Sequence, residues 1–147
     1  MSLADKPTPS DWPRLSASLF YQEPKAAIEW LCKAFGFEVR ILVEHEGRVR
    51  HSELTLGGAV LMVGGEDPEH RKASWQKSPK SIGGANTGAI MLYIDDADAH
   101  CERARAAGGI IDMEPTTNDH GEGYWVDRSY GVIDPEGHYF WFCQRIK

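Results

Sequence analysis

Cysteine is scarce in this chain: Cys32, Cys101 and Cys143 are the only three in 147 residues, and they lie far apart. An odd count without ligand-type spacing points away from a disulfide framework and from a structural zinc site. It makes a reducing cytoplasm the expected compartment. Positive charge is also short, with Lys plus Arg 16 against Asp plus Glu 22 and a formal net charge of −6. Binding to duplex nucleic acid or to an anionic membrane surface needs a basic patch, so neither partner is expected. The same excess of acid favours cationic or neutral ligands over anionic ones. No apolar run approaches the ~20 residues of a spanning helix. The opening Met1-Ser2-Leu3-Ala4-Asp5 lacks the basic-then-apolar order of a signal peptide. Glycine pairs occur at 57–58, 64–65, 83–84 and 108–109, but none builds a phosphate loop or a nucleophile elbow. What remains is an ordinary globular composition, 41% hydrophobic and 26% charged.

The order of elements is more informative. Residues 1–14, with Pro7, Pro9 and Pro13, read as a mobile or surface-draped arm. Leu15 to Tyr21 reads as a strand. Glu23-Pro24 opens a helix, proline being harmless in the first turn, and Ile28, Leu31, Cys32 and Phe35 form its apolar face. Gly36 follows as a left-handed cap. Three strands come next, Phe37 to His45, Val49 to Leu56 and Ala59 to Val63, separated by Glu46-Gly47 and Gly57-Gly58 turns. Residues 64–87 are polar, contain Pro68 and Pro79, and read as a linker. The pattern then restarts. Ala89 to Ile94 is a strand, and Asp95-Asp96 caps a helix with Ala97, Cys101 and Ala104 inside. Gly108-Gly109 ends that helix, and Ile110 to Met113 is a strand. Residues 114–122 read as a loop, followed by strands at Tyr124 to Ile133 and Tyr139 to Arg145. Asp134-Pro135-Glu136-Gly137 has the chemistry of a type I turn. The two halves, about 15–63 and 88–147, are thus copies of one β-α-β-β-β unit within a single domain spanning 15–147, with Ala34-Phe35-Gly36-Phe37 and Ala106-Ala107-Gly108-Gly109 in matching places.

Two such modules, with Ala-Phe-Gly-Phe ending the first helix, resemble the vicinal oxygen chelate superfamily, which includes glyoxalase I, extradiol dioxygenases, and bleomycin- and fosfomycin-resistance proteins. Ser78-Pro79-Lys80-Ser81-Ile82-Gly83-Gly84 and the stretch from Arg128 to His138 resemble its PhnB-like branch. The resemblance implies an α+β fold of two tandem βαβββ modules in a curved mixed sheet around a cavity. It also implies a homodimer whose paired modules complete each cavity, with or without exchange of modules between chains. In metal-dependent members each module supplies two ligands, one near the start of its first strand and one on its last. Here those positions fall on Ser16, Met62, Ala89 and Trp141, with Ser18, Val60, Met91, Tyr139 and Cys143 at even offsets on the same faces. None is histidine or carboxylate, the donors that a divalent ion needs, so the usual metal site is expected to be absent.

Strand alternation sorts the remaining candidates. With Leu61, Val63, Phe140 and Phe142 turned to the helices, the cavity side collects Ser16, Ser18, Phe20, Met62, Met91, Tyr93, Tyr139 and Trp141. Trp125 and Asp127 are added from the Tyr124–Ile133 strand, where Ser129 and Gly131 leave room for a ligand. Such walls suit a flat or amphipathic organic molecule, or they simply fill the sheet interior. His51 and Glu53 share the cavity side of their strand and admit three readings: a hydrogen-bonded rim pair, an acid/base pair, or the seed of a relocated metal site. Arg128, on the opposite face, is expected to pair with a helix carboxylate, and His138 and Cys143 to be structural. His120, between Gly121 and the Asn118-Asp119 pair, sits in a loop able to cover the pocket. Three functions follow. The favoured one is metal-free binding of a small aromatic or amphipathic molecule. The alternatives are a lyase, isomerase or dioxygenase using His51 and Glu53, and a dimeric scaffold with a vestigial pocket.

Overall fold

The computed structural model describes residues 6–66 and 75–147. The elements run β1 (Ala17–Tyr21), α1 (Pro24–Phe35), β2 (Glu38–His45), β3 (Arg48–Leu56), β4 (Ala59–Gly65), a 3-10 turn (Pro79–Ile82), β5 (Ile90–Tyr93), α2 (Ala97–Ala106), β6 (Ile110–Asp119), β7 (Val126–Ile133) and β8 (Tyr139–Arg145). They form two four-stranded sheets, ordered β1-β4-β3-β2 and β5-β8-β7-β6. In each sheet the first strand lies parallel to the last strand of its module and the other pairs are antiparallel. Both modules therefore have the βαβββ order, in an α+β fold.

Local chemistry explains the helices. Pro24 occupies the first turn of α1, and Gly36 caps its end at φ 85°, its N–H donating to the Cys32 carbonyl at 3.1 Å. Asp96 caps α2 by accepting from the Ala99 N–H at 3.0 Å. The N-cap of α1, Glu23, makes no side-chain bond of its own. The second module does that work: the Glu136 carboxylate accepts from the Gln22 N–H at 2.6 Å and from the Glu23 N–H at 3.0 Å. At the other end, Arg103 of α2 donates to the carbonyls of Lys33 at 2.8 Å and Cys32 at 3.2 Å. An acid at the N-terminus and a cation at the C-terminus both suit the helix dipole.

The core lies between the two sheets' helix-facing sides. Phe35 packs with ring centroids 4.9 Å from Phe140 and 4.7 Å from Phe142, joining α1 to β8. His100 is half-buried between the modules. Its Nε2–H donates to the Phe35 carbonyl at 2.9 Å, so Nδ1 accepts from the Tyr130 hydroxyl, and burial lowers its pKa toward the neutral ring. Tyr21 donates to Asp134 at 2.7 Å, and the buried His138 donates to the Phe20 carbonyl at 2.8 Å. His138 is thus structural. Arg128 pairs with Asp98 of α2 at 2.7 Å, the helix partner expected for it. Ser78 donates to Glu136 at 2.7 Å, so the 3-10 turn segment and the turn before β8 lie against each other beside the start of α1.

The elements differ from the sequence reading in several places. Strand β6 continues to Asp119, where a loop over 114–122 was expected. Thr116 pairs with Ser129 and Asn118 with Asp127. An edge strand needs no apolar alternation, and Pro115 falls within the irregular stretch between the Met113 and Thr116 pairs, where a missing N–H is tolerated. Strand β1 starts at Ala17 and β7 at Val126, which leaves Ser16 and Trp125 just outside them. Residues 64–87 include the end of β4 and the 3-10 turn, and Pro68 lies outside the described residues.

Candidate functional site

Each sheet turns one face to the helices and leaves the other open. On the first open face, Ser18 pairs with Met62, Ile41 with Glu53 and Val43 with His51. A cleft of about 600 Å³ lies over this face, lined by Ser18, Phe20, His51, Met62 and the exposed arginines Arg48 and Arg50. Glu53 is buried, yet both its oxygens are engaged. Oε2 accepts from His51 Nε2–H at 2.6 Å, and Oε1 lies 3.0 and 2.9 Å from the Arg40 guanidinium. The His51 bond, then Arg40, hold the Glu53 carboxyl below the usual carboxylate range. Arg40 also donates to the Asp11 carbonyl at 2.6 Å and lies 5.0 Å from the Trp12 ring, so residues 11 and 12 rest on this face.

The second open face is built in rows across β5, β8, β7 and β6. Met91, Trp141, Gly131 and Met113 form one row, and Tyr93, Cys143, Ser129 and Thr116 the next. Arg145, Asp127 and Asn118 form the third. Gly131 leaves no room for a ligand beneath it, against expectation: a Cβ there would sit 2.0 Å from the Tyr139 hydroxyl, because the phenol lies across the glycine. That hydroxyl donates to Asp112 at 2.8 Å and accepts from the Trp141 indole N–H. Burial, then the Asp112 bond, raise the Tyr139 pKa. The polar edges of both rings are thereby occupied by each other and by Asp112. Their faces are what the surface offers.

At the far end of this face, Arg145 donates to Asp127 at 2.7 Å and to the Tyr93 hydroxyl at 2.7 Å. Its guanidinium lies 5.4 Å from the Tyr93 ring centroid and 5.2 Å from that of Trp125. His120 reaches the same corner, 3.8 Å from Asp127. Cys143 is half-buried in the middle row, and burial raises its thiol pKa, which disfavours a nucleophile.

The pocket residues named from sequence thus divide between two faces instead of gathering on one. Ser18, Phe20, Met62, His51 and Glu53 belong to the first. Met91, Tyr93, Trp125, Asp127, Tyr139 and Trp141 belong to the second. Ser16 lines neither the cleft on the first face nor a smaller one of about 340 Å³ where the modules join, in which Phe20 and Tyr139 meet. Sequence reading missed Arg145, although it lies at an even offset from Trp141 and alternation alone would have placed it. Arg40, Asp112 and Met113 owe their positions to register shifts in β2 and β6 that no pattern announces.

The pairs that stand side by side on the open faces, Ser18 with Met62 and Met91 with Trp141, supply a hydroxyl, two thioethers and an indole. These do not fit a divalent ion that wants imidazole or carboxylate. Among the described residues no three His, Cys, Asp or Glu side chains are grouped so as to hold a metal ion. His51 and Glu53 are two such donors, with both Glu53 oxygens already engaged, one by the His51 ring and the other by the Arg40 guanidinium.

The profile of the Glyoxalase/Bleomycin resistance protein/Dioxygenase superfamily matches residues 15–142, and the chain belongs to that superfamily. Among solved structures, TioX from Micromonospora sp. ML1 is 27% identical, with 89% of this chain and 98% of that one covered at a TM-score of 0.68. The fosfomycin resistance protein FosX from Listeria monocytogenes, described in complex with Mn(II) and sulfate, is 16% identical. It covers 90% of this chain and 89% of its own at a TM-score of 0.59, a likeness of fold. A hypothetical protein from S. aureus is similar at 17% identity, covering 90% and 96% with a TM-score of 0.61. No curated relative matches the chain.

Proposed function

We propose that this chain is a metal-free, PhnB-like binding protein that holds a small aromatic or amphipathic molecule on its second open face. The observation that carries this reading is the Met91–Trp141–Gly131–Met113 row with Tyr139 laid over the glycine. It is a surface of ring faces and thioethers whose hydrogen-bonding edges are satisfied internally. Flat apolar ligands gain from such contacts, and no polar group must be stripped of water to admit them. Met91, Tyr93 and Trp141 are 51%, 52% and 44% exposed in a single chain, which is a large apolar area to leave in water. This supports a homodimer in which a second copy covers part of this face, across an interface of about 1,600 Å² in all.

The test is calorimetric titration with a neutral two-ring probe, naphthalenemethanol. Trp141→Ala is expected to weaken binding by about 1–3 kcal/mol, the value of one buried aromatic contact surface. Unchanged affinity overturns the reading. Metal retention by plasma mass spectrometry after dialysis against zinc, nickel, manganese and ferrous iron is expected near zero, and stoichiometric retention of any of them overturns its metal-free part.

A second reading, acid/base catalysis on the first open face, is favoured by one observation. Because the ionised Glu53 can only accept, His51 carries its proton on Nε2 and keeps Nδ1 as a base. The His51 side chain is 45% exposed over the 600 Å³ cleft. On this reading His51→Gln abolishes turnover of a lyase or isomerase substrate without unfolding the chain.

A further inference from the structure

Arg145 separates the second open face into two chemically different ends. Asp127, only 12% exposed at its side chain, lies beneath and pins Nε–H, and Tyr93 takes a hydrogen from Nη2, while the arginine itself is 47% exposed. Among the described residues Nη1 has no hydrogen-bond partner. The planar cation is held against the Tyr93 and Trp125 rings, which fix its orientation without using its donors. A carboxylate buried under an arginine is a positioning device: it neutralises the cost of holding the cation in place, and leaves the outward edge of the fork to meet an anion.

The distances along the sheet fit one kind of molecule. Arg145 reaches back over Tyr93, whose register partner is Cys143, two residues from Trp141 on β8. Two residues of strand span about 7 Å. A two-ring aromatic lying on Trp141 and Met91 therefore brings a substituent at its far edge beneath the free edge of the guanidinium. We propose that the ligand of this face is an aromatic carboxylate, its rings on the Met91–Trp141 row and its carboxylate on Arg145. This rests on the aromatic-pocket reading and adds the charge of the ligand to it. The net charge of −6 pointed the other way. Specificity is set by the groups within reach, and the exposed one at this corner is a guanidinium.

The experiment compares naphthoate with naphthalenemethanol by calorimetry on the full chain, at low and at high salt. The carboxylate probe is expected to bind at least about tenfold more tightly than the alcohol at low salt, with the gap narrowing as salt rises. In Arg145→Gln the ratio falls to near one, through loss of naphthoate affinity. Arg145→Lys, which keeps the charge but not the planar fork, restores part of the ratio. Equal binding of the two probes by the wild type, or a ratio unchanged in Arg145→Gln, overturns the anion site and leaves the aromatic pocket standing. Failure of both probes to bind the wild type overturns the pocket and this inference with it. Thermal unfolding of each variant checks that the exposed arginine is not needed for folding.

Discussion

The two open faces share a strand order and differ in almost everything else. The first carries a buried carboxylate clamped by a histidine and an arginine, with Asp11 and Trp12 resting on the arginine. The second carries rings, thioethers and one oriented guanidinium. Their helix-facing sides did not diverge in this way. Both are apolar and feed one core, in which Phe35 meets Phe140 and Phe142. The comparison separates what the duplicated unit must keep from what it is free to change. A βαβββ module must bury one sheet face on its helix; the other face is constrained only by the ligand or the partner it meets.

The largest expected effect strikes what the faces share. Phe35→Ala removes the ring that joins α1 to β8, and a buried phenylalanine truncated in a packed core costs about 3–5 kcal/mol. Both faces should be lost together, in a single unfolding transition at a lower temperature, followed by circular dichroism and tryptophan fluorescence. Two separated transitions would show that the modules stand independently, and the mutual bracing of α1 by Glu136 and Arg103 would then count for little.

A smaller effect should strike one face alone. In Gly131→Ala the new methyl meets the far end of Tyr139, so the ring swings out and its bond to Asp112 is lost, at about 1 kcal/mol of stability. Affinity for naphthalenemethanol should fall while the His51–Glu53 pair on the first face is undisturbed. Full retention of binding would mean that the ligand does not touch the Tyr139 ring.

How much of this was legible beforehand follows from the same contrast. Period-two alternation with a helix to cover one side placed Leu61, Val63, Phe140 and Phe142 inward and set Met62 and Trp141 outward, because burial writes itself into composition. It also put His51 and Glu53 on one side of β3, where they are 2.6 Å apart. It did not reveal that the outward residues belong to two separate faces. Alternation is a property of single strands, and which sheet faces which space is decided by packing between modules. The polar end of β6 was hidden for a related reason: an edge strand with both sides in water has nothing to alternate against. Arg40 and Asp112 lie next to register shifts, where a single extra residue reassigns faces and no composition signal marks it.

The smallest effect belongs to the first face and is read through pH. The Glu53 carboxyl is held below the usual range by His51 and Arg40, so its folded pKa lies under its unfolded one. The stability that this ionised group contributes is therefore fully present above the unfolded value of about 4.3. It is lost only as the pH falls through the lowered folded value. Glu53→Gln should be less stable than the wild type at neutral pH, and the gap should close in the acid range below about pH 4, where the wild-type carboxyl takes up its proton. Thermal unfolding of the two proteins across that range measures the gap directly. Because glutamine matches glutamate in shape, a gap that persists unchanged into acid would mean that Glu53 serves by its hydrogen bonds and not by its charge. The first face would then be a packed rim, and its His51 a weaker candidate for proton transfer than the ionised partner now makes it.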